Sequence, residues 1–193
     1  MNIRDLVPPL FLRAIQKLKR RNDIGHQTYS SFDQANAACK GMGYEDKELI
    51  EVVFEKTKAL KEKLDSLRVQ YVEGPVLQFL SSLAFVKKSV EKPICILDFG
   101  GACGAHFFSI KASLKTSLNL TMKYVVVETP SMVDKAKELQ NDEILFLPTI
   151  EEAMRSFPKF DLVYTSGAIQ CVPDSLMFLK KLIEVNADYI LFT

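Results

Sequence analysis

The stretch Ile94-Cys95-Ile96-Leu97-Asp98-Phe99-Gly100-Gly101-Ala102-Cys103-Gly104 decides how this chain is read. Ile94 to Leu97 run apolar without period-two alternation, which predicts a strand buried on both faces. The residues from Gly100 to Gly104 are all small, so a ligand can approach the backbone there. Helical spacing follows at Phe107, Phe108, Ile110 and Leu114. Strand, small-residue turn and helix in that order place a ligand-binding turn at the carboxyl end of a parallel strand.

The same alternation continues downstream. Tyr124–Glu128 predicts strand two, with a helix over 131–140, and Ile144–Leu147 predicts strand three. Thr149 then caps a short helix with Glu152 as its partner three positions on. Phe160–Tyr164 reads as strand four, 174–185 as a helix, and Tyr189–Phe192 as strand five. Continuous apolar strands alternating with helices predict an α/β fold, a doubly wound, mostly parallel sheet covered on both faces.

Upstream of Lys92-Pro93 the periodicity is helical. Ser31 and Gln34 form a capping box for a helix over 32–40, which stops at Gly41 and Gly43. A longer helix over 45–68 carries Leu49, Val53, Leu60, Leu64 and Leu67 as its apolar stripe. A third opens at Pro75 and runs to Lys88. The chain thus divides into a basic amphipathic helix over 1–22, a helical preface or lid over 23–92, and a sheet domain over 93–193. The basic helix either packs on the domain or rests on an anionic membrane surface.

With 193 residues, 48% apolar and 25% charged, the chain has material for a real core and is not disordered. A formal net charge of +1 gives no global field for drawing in nucleic acid. No apolar run approaches the roughly 20 residues of a membrane-spanning helix, and the N-terminus lacks the pattern of a signal peptide. Cys39, Cys95, Cys103 and Cys171 form no CxxC pair, and the two histidines, His26 and His106, lie far apart. The expectation is a cytoplasmic protein with reduced thiols and no metal site, with peripheral contact at the inner membrane face open to the basic helix.

Glu128 closes strand two, 24 residues past Gly104, where a carboxylate can accept from both hydroxyls of a ribose. Two cofactors fit this pattern. A nicotinamide dinucleotide needs a glycine turn whose helix N-terminus receives a pyrophosphate, and Gly100-x-Ala102-x-x-Ala105 is a degraded form of it. S-adenosyl-L-methionine has no phosphate and a cationic methionyl end. Asp98 sets a negative charge beside the turn, which repels pyrophosphate and suits the methyl donor.

Asp98-Phe99-Gly100-Gly101-Ala102-Cys103-Gly104 resembles motif I of class I S-adenosylmethionine-dependent methyltransferases, with Ala102 in place of the middle glycine. Glu128 matches their acidic residue after strand two, and Asp161–Ser166 is similar to their fourth-strand motif. More narrowly, the chain resembles methyltransferases encoded among bacterial surface-polysaccharide genes, through Tyr29-Ser30-Ser31-Phe32, Gly43-Tyr44, Phe107-Phe108, Val127-Glu128, and Ser166 with Gln170. The resemblance implies a Rossmann-like domain that binds S-adenosyl-L-methionine and methylates a small-molecule or glycan hydroxyl. It implies that Gly100, Gly101 and Gly104 line the methionyl part, Glu128 holds the ribose, Thr149 and Ile150 flank the adenine, and Ser166 with Gly167 sits beside the methyl; Asp98 joins this cofactor-binding set through its charge.

Positioning supplies much of the catalysis of methyl transfer, and no catalytic base is assigned. His106 is one candidate, against a role in shaping the turn. Tyr29, Ser30 and Ser31 either close over the site or cap and pack a helix. Sheets of that family have seven strands, so the last two and their acceptor residues are expected to be missing after strand five, whose edge is then uncovered. Two alternatives follow: a non-catalytic binding or scaffold module of the same fold, and an NAD(P)-dependent enzyme. Nothing in the residues specifies the oligomeric state.

Overall fold

The computed structural model describes residues 28–39, 43–66, 74–86, 92–114 and 121–193. The expected basic helix over 1–22 lies outside them. The chain divides into two compact units, Met1–Lys40 and Gly41–Thr193. In the first, the described element is α1 (Phe32–Ala38), capped by Ser31, whose hydroxyl accepts from Gln34 N–H at 3.2 Å. The box closes one residue early. The Gln34 side chain accepts from Ser30, hydroxyl at 2.8 Å and N–H at 3.3 Å.

The second unit holds α2 (Lys47–Ser66), α3 (Gly74–Val86), β1 (Ile94–Phe99), α4 (Ala105–Leu114), β2 (Met122–Val127), α5 (Pro130–Ala136), β3 (Ile144–Leu147), α6 (Ile150–Ser156), β4 (Leu162–Thr165), α7 (Ser175–Glu184) and β5 (Tyr189–Phe192). The strands form one sheet in the order β3-β2-β1-β4-β5, every pair parallel. This is the expected doubly wound arrangement. The order reverses between β1 and β4, which puts the topological switch point beside the glycine turn after β1.

Successive strand side chains point to opposite faces. Ile96, Tyr124, Val126, Phe146 and Tyr164 build one core with α2, α3, α4 and α5. Leu97, Phe99, Val125, Val127 and Val163 build the other with Ile150 and Ala153 of α6 and Leu182 of α7. In the first core Phe79 packs edge-on against Tyr164, ring centroids 5.0 Å apart. Asp98 takes its place on this first face, between two residues of the second.

The residues explain where element ends shifted. Asp161 was expected inside strand four, but its carboxylate accepts from Cys95 N–H at 2.8 Å and its N–H donates to the Cys95 carbonyl at 2.8 Å, and the strand begins at Leu162, two residues after the expected Phe160. The helix expected to run to residue 140 tightens to a 3-10 turn over Lys137–Leu139. Asn141 then accepts from the N–H groups of Glu143 and Ile144, an Asx turn that launches β3. On α2 the buried positions are Ile50, Phe54, Thr57 and Leu64; of the expected stripe Leu64 is buried and Val53 and Leu60 pack partly buried against the core, while Leu67 lies outside the described residues. Asp46 caps that helix through Glu48 N–H at 2.8 Å. Among the described residues no helix is long and apolar enough to cross a membrane.

Candidate functional site

A cavity of about 560 Å³ opens above the carboxyl ends of β1, β2, β3 and β4. That volume is in the range of small-molecule sites. Gly100 and Phe99 form its floor beside Val127 and Glu128. Pro148, Thr149 and Ile150 wall the β3 side; Ser166, Gly167 and Ala168 wall the β4 side; Phe178 and Lys181 of α7 close the back. The walls are mainly apolar and the charged lining groups are Glu128, Glu151 and Lys181. Lys181 Nζ bonds Glu151 at 2.7 Å across the α6–α7 junction. That ion pair holds the Glu151 carboxyl below its ordinary range.

The turn is shaped by backbone requirements. Gly100 has φ +75°, and a Cβ there would lie 2.2 Å from the Ala168 methyl, so β4's following loop packs directly on it. Gly100 N–H donates to Val127 O at 2.9 Å, which ties the turn to the end of β2. Gly104 has φ +79° and faces Ile144 and Phe146, serving helix-to-strand packing. Ala102, standing where the resemblance expects a glycine, also takes a positive φ of 49°.

Glu128 binds the turn from the other side. Its Oε1 accepts from Ala102 N–H at 3.0 Å and its Oε2 from Thr129 N–H at 2.8 Å. Each oxygen has a further lone pair. Burial pushes the Glu128 carboxyl up, while the two N–H donors pull it down and lose. Beside it the Thr129 hydroxyl is buried with no partner among the described residues. Thr149 caps α6 through Glu152 N–H at 3.1 Å, as expected, so its hydroxyl is engaged at the cavity rim.

Of the residues singled out in the sequence, Gly100, Glu128, Thr149, Ile150, Ser166 and Gly167 meet at this cavity. Asp98, Gly101 and Gly104 do not line it. Asp98 is 1% exposed on the opposite face of the sheet, where Tyr124 hydroxyl donates to its Oδ2 at 2.8 Å. Gly101 lies over that carboxylate: a Cβ would sit 2.4 Å from Oδ2. His106 also stands on that face, Nδ1 3.6 Å from Asp98 Oδ2 and its ring edge-on to Tyr164. Cys103 is buried against Met132, and burial pushes its thiol up to about 11, an unreactive state. Tyr29, Ser30 and Ser31 belong to the first unit. Among the described residues no group of three His, Cys, Asp or Glu stands close enough to hold a metal ion.

Tyr44 and Cys171 line the cavity and were not among the expected site residues. Tyr44 hydroxyl lies 3.6 Å from Cys171 Sγ, 127 positions apart in the chain. The dipeptide Gly43-Tyr44 was the one signal available for the tyrosine. The thiol contact, chiefly, raises the Tyr44 phenol.

No protein-family model matches the chain. No curated protein matches it. Solved structures do. The plantazolicin methyltransferase BpumL, in complex with a monoazolic desmethylPZN analog and SAH, is 18% identical over 77% of this chain and 59% of that one, with TM-score 0.38. A protein described as an S-adenosyl-L-methionine-dependent methyltransferase from Methanococcus maripaludis is 13% identical over 76% and 62%, with TM-score 0.43. A SAM-dependent methyltransferase from Aquifex aeolicus is 16% identical over 67% and 66%, with TM-score 0.39. The chain spans about three fifths of the length of the first structures it matches. Such distant similarities leave its chemistry to be read from its own cavity.

Proposed function

We propose that the chain binds S-adenosyl-L-methionine and transfers its methyl group to a hydroxyl of a small molecule or of a glycan precursor of surface polysaccharide. The supporting observation is Glu128. It is anchored by one backbone N–H on each oxygen and keeps a lone pair on each for a vicinal ribose diol at the cavity lip. Ile150, Pro148 and Phe178 offer apolar walls to an adenine, and Gly100 offers open backbone to the methionyl chain. When bound, the sulfonium supplies an already activated methyl. The chain's own part is to bind and orient, with Ser166 and Gly167 beside the reacting end. Asp98, beneath the turn, acts on the ligand's ammonium through its charge, and Gly101 and Gly104 give the turn its shape. The hydroxyl acceptor, the cytoplasmic setting and peripheral membrane contact through 1–22 belong to the same reading.

Calorimetric titration with S-adenosylhomocysteine tests it. We expect micromolar binding, weakened about 10- to 100-fold in Glu128→Ala, the loss of hydrogen bonds to a charged group. No binding by the wild type, or equal binding by Glu128→Ala, overturns the reading. A titration with NADH that saturates in the same range would assign the cavity to a dinucleotide instead.

A further inference from the structure

Under the glycine turn lies a group that the cavity does not use. Asp98 is 1% exposed, and its Oδ1 has no hydrogen-bond partner among the described residues. Its Oδ2 takes the Tyr124 hydroxyl at 2.8 Å and faces His106 Nδ1 at 3.6 Å. That Nδ1 is itself buried and without a hydrogen bond among the described residues. The separation is too long for a hydrogen bond and short enough for a charge interaction, with the Asp98 side chain 1% and the His106 side chain 35% exposed. The elements packed around the imidazole offer it few charges. β1 presents Asp98, β2 the Tyr124 hydroxyl bound to Asp98, β4 the Tyr164 ring at 5.2 Å, and the first turn of α4 has no acidic residue. Gly101, next to the cavity-floor residue Gly100, lies over the carboxylate, where a Cβ would sit 2.4 Å from Oδ2.

We propose that His106 is a positioning residue for an ammonium-bearing ligand: in the empty protein its imidazolium compensates Asp98, and the ligand's ammonium takes over that role, releasing the proton of His106 to solvent. This rests on the methyl-donor reading above. One positive charge arrives and one proton leaves, so the charge around Asp98 is unchanged. Asp98 raises the basicity of His106 against the opposing effect of burial. Binding therefore tightens as pH rises and weakens as it falls, by up to about tenfold per pH unit in the limit of one proton exchanged.

The test is calorimetric titration of the full chain with S-adenosylhomocysteine between pH 5.5 and 8, in two buffers of different ionisation enthalpy. Adenosine, which has the ribose and base but no ammonium, is the second ligand. The expected result is proton release with S-adenosylhomocysteine, none or less with adenosine, and loss of the difference in His106→Gln. Equal proton release with both ligands would assign the proton to Glu128 and overturn the proposal, as would pH-independent binding of S-adenosylhomocysteine. No binding of S-adenosylhomocysteine at any pH would instead sink the methyl-donor reading itself.

Discussion

Gly100→Ala separates two costs that the turn imposes. The first is backbone strain: φ is +75° at Gly100, and an L-residue in the left-handed region costs about 1–2 kcal/mol. The second is overlap. The new methyl would lie 2.2 Å from Ala168 Cβ, whereas apolar carbons rest at about 3.5–4.0 Å, so one backbone must move by more than 1 Å. Overpacking of that kind costs about 1–3 kcal/mol. Together the substitution should cost about 2–5 kcal/mol. With a urea m-value of about 2 kcal/mol/M, the unfolding midpoint falls by about 1–2.5 M. The two costs part in a double-mutant cycle. Ala168 has φ −98° and ψ −34°, which any residue adopts, so Ala168→Gly alone loses only about 0.5–1 kcal/mol. In the double variant the overlap is gone and the strain remains. Urea unfolding followed by far-UV circular dichroism should give a coupling of about 1–3 kcal/mol in favour of the pair. Additivity within about 0.5 kcal/mol would refute the packing of the β4 loop on the turn. A Gly100→Ala midpoint equal to the wild type would refute the positive φ as well.

Burial raises the Glu128 carboxyl above its ordinary 4.5, so between 4.5 and the folded value the folded protein holds a proton the unfolded chain has lost. The wild type therefore loses stability as pH rises through that window, and Glu128→Gln does not; its stability relative to wild type should be more favourable at pH 7 than at pH 4, and an unchanged difference would contradict the direction of the shift. For His106 the sign is the same. Its folded basicity is raised above 6.5, so its contribution is full below 6.5 and lost as pH rises through the folded value, and His106→Gln should cost more at pH 5.5 than at pH 8.5 in urea midpoints. Cys171 stands at the cavity wall against Tyr44, so a bulky maleimide there should abolish S-adenosylhomocysteine binding, Cys171→Ser should be insensitive to the reagent, and labelling that leaves binding intact would place the thiol outside the ligand's path.

The strand, turn and helix around Gly100 were legible in the sequence because each is written in short range. An apolar run without alternation, a row of small residues and a return to helical spacing need no knowledge of distant neighbours. Glu128 was legible for the same reason, as the polar residue that ends a buried strand. Thr149 announced its cap through Glu152, and the structure has that bond. The stripe on α2 was legible only in part, with Leu64 buried and Val53 and Leu60 beside it, because several apolar sets with a helical period coexist there. Which set is buried depends on the aromatic and branched chains of α4 and α5 that it meets.

Other features follow from pairing across the chain. Period two dictates that Asp98 and Phe99 face opposite ways, but which way leads to the cavity is settled by the order β3-β2-β1-β4-β5 and by which helices cover each face. That choice sends Phe99 to the ligand floor and Asp98 down to Tyr124 and His106. Tyr44 and Cys171 meet across 127 positions because the segment before α2 and the loop after β4 both reach the carboxyl end of the sheet. Residue types and local spacing carry the elements, since backbone sterics and side-chain periodicity act over a few residues. The company each side chain keeps depends on contacts whose loop-closure entropy is recovered only when the whole sheet assembles.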